Sequence, residues 1–140
     1  MKSWQWLLIF GAAILLFSGG VMGLLSIPDI VRVAVNAGFS GADLVTAVAV
    51  ALAESRGNPQ AKGDIDIPQA GSASYGLWQI NSYWHPEYGP DFTTLYDPQT
   101  NANAAYAIYA AAGNRFTPWS TYKTGVYSSF VSAVESVLTA

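Results

Sequence analysis

Cysteine is missing from the 140 residues, and histidine occurs once, as His85. No disulfide framework and no thiolate metal site can be built from such a chain, and a single imidazole argues against structural zinc. The lack of disulfides leaves the compartment open, because many exported proteins do without them. Charge is scarce as well: only 11% of residues are Asp, Glu, Lys or Arg, with a net charge of −3. Apart from Lys2, the cations are Arg32, Arg56, Lys62, Arg115 and Lys123, set against nine carboxylates. An acidic domain without a basic stripe is not expected to bind nucleic acid through counterion release. Nor is it drawn electrostatically to an anionic polymer, so a tether would have to supply local concentration for such a substrate. There is no G-x-S-x-G elbow, so His85 with Ser55, Ser72 or Ser74 does not make a serine-hydrolase arrangement. Internal repeats and low-complexity linkers are absent too, and neither a cofactor nor a metal is expected.

Apolar residues, by contrast, are abundant at 51%, with much of the excess at the N-terminus. Trp4 to Leu25 is an uncharged run of about 22 residues, the length needed to cross roughly 30 Å of hydrocarbon. Lys2 precedes it, which by the positive-inside rule keeps the short N-terminus cytoplasmic and carries the remainder across. A cleaved signal peptide, cut near Ser18 or Gly20, is the rival reading. The apolar run continues to Leu25, and Trp4 and Trp6 fit an interfacial belt, so the expectation is a retained anchor. Gly19 and Gly23 form a GxxxG pair suited to helix–helix packing. The chain thus divides into an anchor over residues 1–26 and one extracytoplasmic domain over residues 27–140, long enough for a single core.

Past the anchor, the pattern is mainly helical, an α+β arrangement with one small β excursion. Pro28 opens a short helix, Asp29 to Ala37, with Ile30, Val33, Ala34 and Ala37 inward. Leu44, Val45, Val48 and Leu52 mark a second helix, with Ser40 as N-cap and Gly57 as the C′ residue. Asn58 to Tyr75 reads as loop or hairpin around the alternating Asp64–Ile67 segment. An ordered surface loop is expected over Tyr83 to Thr94. Asp97 and Pro98 open an Ala-rich helix that ends near Gly113, and an aromatic turn region follows over Phe116 to Tyr127. A last helix over Ser128 to Leu138 turns Phe130, Val131, Val134 and Leu138 inward.

The second helix closes on one carboxylate, Glu54. The exposed carbonyls at a helix C-terminus carry negative partial charge, and apolar neighbours add a desolvation cost. Both favour the neutral acid, as general-acid chemistry requires.

Four blocks in order, AESRGNPQA at Ala53, SYGLWQINS at Ser74, DPQTNANAAYAIY at Asp97 and FTPWSTYKTGVY at Phe116, resemble the lysozyme-like lytic transglycosylase family. Members cleave peptidoglycan. The likeness covers roughly Val31 to Val134 and implies a small α-rich lysozyme fold with a cleft between a helical lobe and a β hairpin. It further implies that Glu54 is the catalytic acid, donating a proton to the β-1,4 bond between N-acetylmuramic acid and N-acetylglucosamine. The substrate-binding positions it implies are Ser55, Tyr75, Trp78, Gln79, Asn81, Tyr106, Trp119 and Tyr122. Within that set Tyr106 is expected to reach over the cleft, with Asn101 holding the start of its helix. These residue types suit a glycan, since hexose rings lie on Trp and Tyr, and N-acetyl groups need amide partners. Core packing is the competing role for Trp78 and Trp119, a structural tie for Gln79, and a bond to its own helix for Ser55. Asp64 and Asp66 leave hydrolysis through a second carboxylate open beside anhydro-forming transglycosylation. Two functions are therefore carried forward. One is a membrane-tethered peptidoglycan glycosidase, cellular or phage-encoded, that opens the wall locally. The other is a glycan-binding or structural envelope module that uses the same cleft without turnover.

Overall fold

The computed structural model describes residues 23–64 and 71–140. The expected membrane segment, its GxxxG glycine at position 19 and the loop carboxylate Asp66 therefore lie outside the described residues, apart from Gly23 to Leu25. Among the described residues no helix is long and apolar enough to cross a membrane.

Helix α1 spans Ile27–Ala37, capped by the Ser26 hydroxyl, which accepts from the Asp29 amide, and opened by a proline in its first turn. It buries Ile30, Val33 and Ala34 and ends at Gly38, whose φ of 126° would strain any side chain. Helix α2, Gly41–Ser55, follows after a short turn and is the centre of the molecule. Ala47 through Leu52 are all buried, so this helix is apolar on every side, as a helix packed all round must be. It is covered by α1, by the two C-terminal helices and by a 3-10 turn at Val126–Phe130. Burial of each Val or Leu in that stretch contributes about 1.5–3 kcal/mol.

Both ends of α2 fall at the expected residues. Ser40 stands at the N-cap position, but its side chain makes no capping bond. Arg56 is the C-cap and is left-handed (φ 55°), and Gly57 (φ 84°) follows it at C′ as expected. Arg56 places its guanidinium over the Phe130 ring, 5.5 Å from the centroid, which helps to hold a conformation that side-chain sterics disfavour.

In place of a single hairpin, three two-residue strands form an antiparallel sheet in the order β1 Lys62–Gly63, β2 Ser74–Tyr75, β3 Ile80–Asn81. Lys62 pairs with Tyr75, and Tyr75 with Ile80. Two 3-10 turns, Pro86–Tyr88 and Phe92–Tyr96, order the loop that follows. Helix α3, Pro98–Ala111, is capped by Asp97, whose carboxylate accepts from the Thr100 amide. A one-turn helix α4, Ser120–Lys123, and a further helix α5, Val131–Leu138, come last. Val134 is buried as expected, whereas Leu138, in the last turn of α5, is 40% exposed.

Candidate functional site

Glu54 occupies the last turn of α2, half-buried. The Thr121 hydroxyl on α4 donates to its Oε2 at 2.8 Å. Burial pushes the Glu54 carboxyl above its ordinary range, and the negative charge of Asp64 pushes the same way, while the bonds from Thr121 pull against both. The α2 carbonyl end, where Glu54 sits, adds to the preference for the neutral acid. Asp64 is itself a left-handed residue (φ 56°), fixed by the Ser74 hydroxyl at 2.6 Å. Ser74 in turn accepts from the Asn81 amide at 3.0 Å, so one network joins the residue after β1 to β2 and β3.

Trp78 holds the sheet to the helices. Its backbone N–H donates to Asn101 Oδ1 (2.8 Å), its indole N–H to the Ala47 carbonyl (2.9 Å), and its own carbonyl accepts the Trp119 indole N–H (2.9 Å). The residue is entirely buried, so Trp78 is a core tryptophan and offers no face to a sugar ring. Asn101, expected to hold the start of α3, does something else: its amide donates to the Tyr75 and Leu95 carbonyls while its oxygen takes Trp78. Gly76 is required opposite it, since a Cβ there would collide with the Asn101 amide and lie 2.5 Å from the Leu95 carbonyl.

Ser55 is also structural: buried, it donates to Ala51 and accepts from the Gly57 amide. Tyr106 packs on Gly38 and edge-on to Phe39, at the opposite end of α2 from Glu54. At 1.5 Å per residue that is about 20 Å away, too far for it to reach over the acid. Tyr122 is engaged with Phe116 and Tyr127, and Tyr75 stacks on Phe92 with the Lys62 ammonium 5.6 Å from its ring.

The remaining three come together. Gln79, Asn81 and Trp119 line a groove of about 420 Å3 whose walls also include Ile80, Trp84, His85, Ile108, Pro118 and Lys123. Gln79 is left-handed (φ 49°), and its amide donates to the Ala61 and Gly76 carbonyls, tying the sheet to the segment after α2. Asn81 Oδ1 accepts the Tyr83 and Trp84 amides, which sets the turn carrying Trp84. Glu54 is not among the lining residues: Trp119 and Lys123 face this groove from α4, while Thr121, between them, faces Glu54.

Thr121, Trp84 and Lys123 were the residues sequence reasoning missed. A tryptophan inside the Pro- and Gly-bearing loop YWHPEYGP, outside any apolar periodicity, was the available signal for Trp84. Nothing local marks Thr121, whose role depends on how α4 packs on α2. Among the described residues no three His, Asp or Glu side chains converge as metal ligands.

Comparison with curated proteins finds no match. A family model described as "Lysozyme like domain" matches residues 31–121, nearly two thirds of the chain, and runs from within α1 through α2, the sheet and α3 to Thr121. Such domains are in general peptidoglycan-related glycosidases of the lytic transglycosylase type. With that match over helices and sheet alike, the chain belongs to the lysozyme-like domain family.

Proposed function

We propose that the protein is a peptidoglycan-cleaving glycosidase with Glu54 as general acid and then base, acting on the bond between N-acetylmuramic acid and N-acetylglucosamine. The observation that carries this reading is the state of Glu54: a helix-end acid, half-buried, shifted toward neutrality and held by one hydroxyl. Protonated Glu54 donates to the glycosidic oxygen as oxocarbenium character develops at the anomeric carbon, and the leaving sugar departs with that proton. The Glu54 carboxylate then takes a proton either from water, giving a reducing end, or from the muramic 6-hydroxyl, giving a 1,6-anhydro end. Asp64, whose charge is felt at Glu54, favours positive charge building up nearby and is the candidate second carboxylate on the hydrolytic route. The uncharged run of residues 4–25 supports a single-pass anchor with the domain outside the cytoplasm, in a cell envelope or a phage-related membrane.

The test is zymography of the full chain on purified peptidoglycan beside Glu54→Gln, with mass spectrometry of the released muropeptides. Clearing by the wild type and a loss of about 10²–10⁴-fold in the variant are expected. Equal clearing by both proteins removes Glu54 from the mechanism, and binding without clearing by either leaves a glycan-holding module.

A further inference from the structure

The outer side of α1 takes no part in the chemistry at Glu54, and it is more apolar than a helix side facing water needs to be. Ile30, Val33 and Ala34 fill the core face of this helix. Pro28, Val31 and Val35, spaced three and four residues apart, form a second apolar row turned away from that face. Leu24 precedes the row at the same kind of spacing. Leu24 is 68% exposed and Val35 49%, with Pro28 exposed and Val31 half-buried between them. Scattered exposed apolar residues are ordinary, but a row of them along one helix side marks a contact surface. The only charged residues of α1, Asp29 and Arg32, pair with each other at 3.0 Å, so they do not give the row a net charge.

What covers this row follows from where it begins. Residues 4–25 are uncharged, and the Leu25 N–H, bonded to the Gly57 carbonyl at 2.8 Å, fixes the end of that run against the turn after α2. Helix α1 then starts afresh: Ser26 is extended (φ −73°, ψ 162°), and its hydroxyl caps the new helix. The chain is therefore free to change direction between the run and α1. With the run in a bilayer, the first turn of α1 stands at headgroup level. A helix laid along the surface covers the whole row, whereas an upright one leaves Val35 about 12 Å further out, in water.

We propose that α1 lies in the membrane–water interface, with Leu24, Pro28, Val31 and Val35 against the acyl-chain boundary of the bilayer that holds residues 4–25. The proposal rests on the single-pass anchoring proposed above and deepens it, because the domain is then held in one orientation as well as attached. The attraction is apolar: a chain of net charge −3 is not drawn to anionic headgroups.

Fluorescence quenching of the full chain in phosphatidylcholine vesicles tests it. The chain contains no cysteine, so a bimane label is placed singly through Leu24→Cys, Val35→Cys or Glu87→Cys, the last an exposed site in the loop after the sheet. The quencher is a lipid with a nitroxide near the headgroup end of its acyl chain. Labels at Leu24 and Val35 should be quenched about three-fold or more above the label at Glu87, as for side chains seated roughly 5–10 Å into the boundary. Added phosphatidylglycerol or about 0.5 M salt should leave both values unchanged, since apolar contact is not screened. A quenched Leu24 label beside a Val35 label as bright as that at Glu87 keeps the anchor and overturns the interfacial helix. A Val35 label shielded from water but unquenched, with Val35→Cys copies crosslinking to each other, gives the row to a second copy and overturns it as well. Failure of the chain to float with the vesicles overturns the anchoring and this proposal together. Glu54→Gln should leave every value unchanged, which separates the membrane contact from the catalytic reading.

Discussion

Glu54 is pulled three ways, by burial, by Thr121 and by Asp64, and the last two pulls can be removed separately. Thr121→Val deletes a donor to the carboxylate, so the Glu54 pKa should rise and the alkaline limb of the pH–activity profile should move to higher pH. Asp64→Asn deletes a repelling charge but keeps an oxygen for Ser74, so the same limb should move to lower pH. Opposite displacements are the signature, and movement in one direction for both would show that the limb belongs to another group. The acid also costs the fold: a carboxyl whose folded pKa is raised is neutral in both states at low pH. As pH climbs past the unfolded value the folded state resists ionisation and loses stability. Glu54→Gln should therefore melt higher than the wild type at pH 8, with the difference vanishing below about pH 4 in thermal scans.

At the level of elements, sequence periodicity was enough to place α1, α2 and α3 and to put Glu54 on the last turn of α2. The apolar spacing is regular, and Gly57 and Pro59 interrupt it. That Trp78 and Trp119 both lie inside was not legible. Trp78 is core because the Ala47 carbonyl and Asn101 meet it from α2 and α3, and neither contact can be read from SYGLWQINS. Tyr106 failed for a related reason: helical spacing says which face of α3 it occupies but not which end of α2 that face crosses. The three-way tie at Asn101 should dominate the stability of the sheet. Asn101→Ala removes the amide's bonds to the Trp78 N–H and to the Tyr75 and Leu95 carbonyls, at a cost of about 3 kcal/mol. A lowered urea midpoint with an unchanged m-value would register it, whereas a loss under about 1 kcal/mol would mean water replaces the amide.

For the molecule as a whole, the consequential contact lies where the chain enters the domain. The Leu25 N–H donates to the Gly57 carbonyl at 2.8 Å, and the Leu25 carbonyl passes 2.8 Å from where a Gly57 side chain would begin. The entering segment is thus stitched to the turn immediately after Glu54. On the proposed anchoring of the apolar run that precedes Leu25, the working height would be one domain, about 30 Å, and only the wall layer nearest the membrane would come within range. A 20-residue Gly-Ser spacer ahead of Leu24 would add about 25 Å of reach and should release material from more distant layers, measurable as a larger soluble muropeptide yield from intact sacculi. Short stature, on this view, confines the damage a wall-cutting protein can do to the patch directly above its own foot.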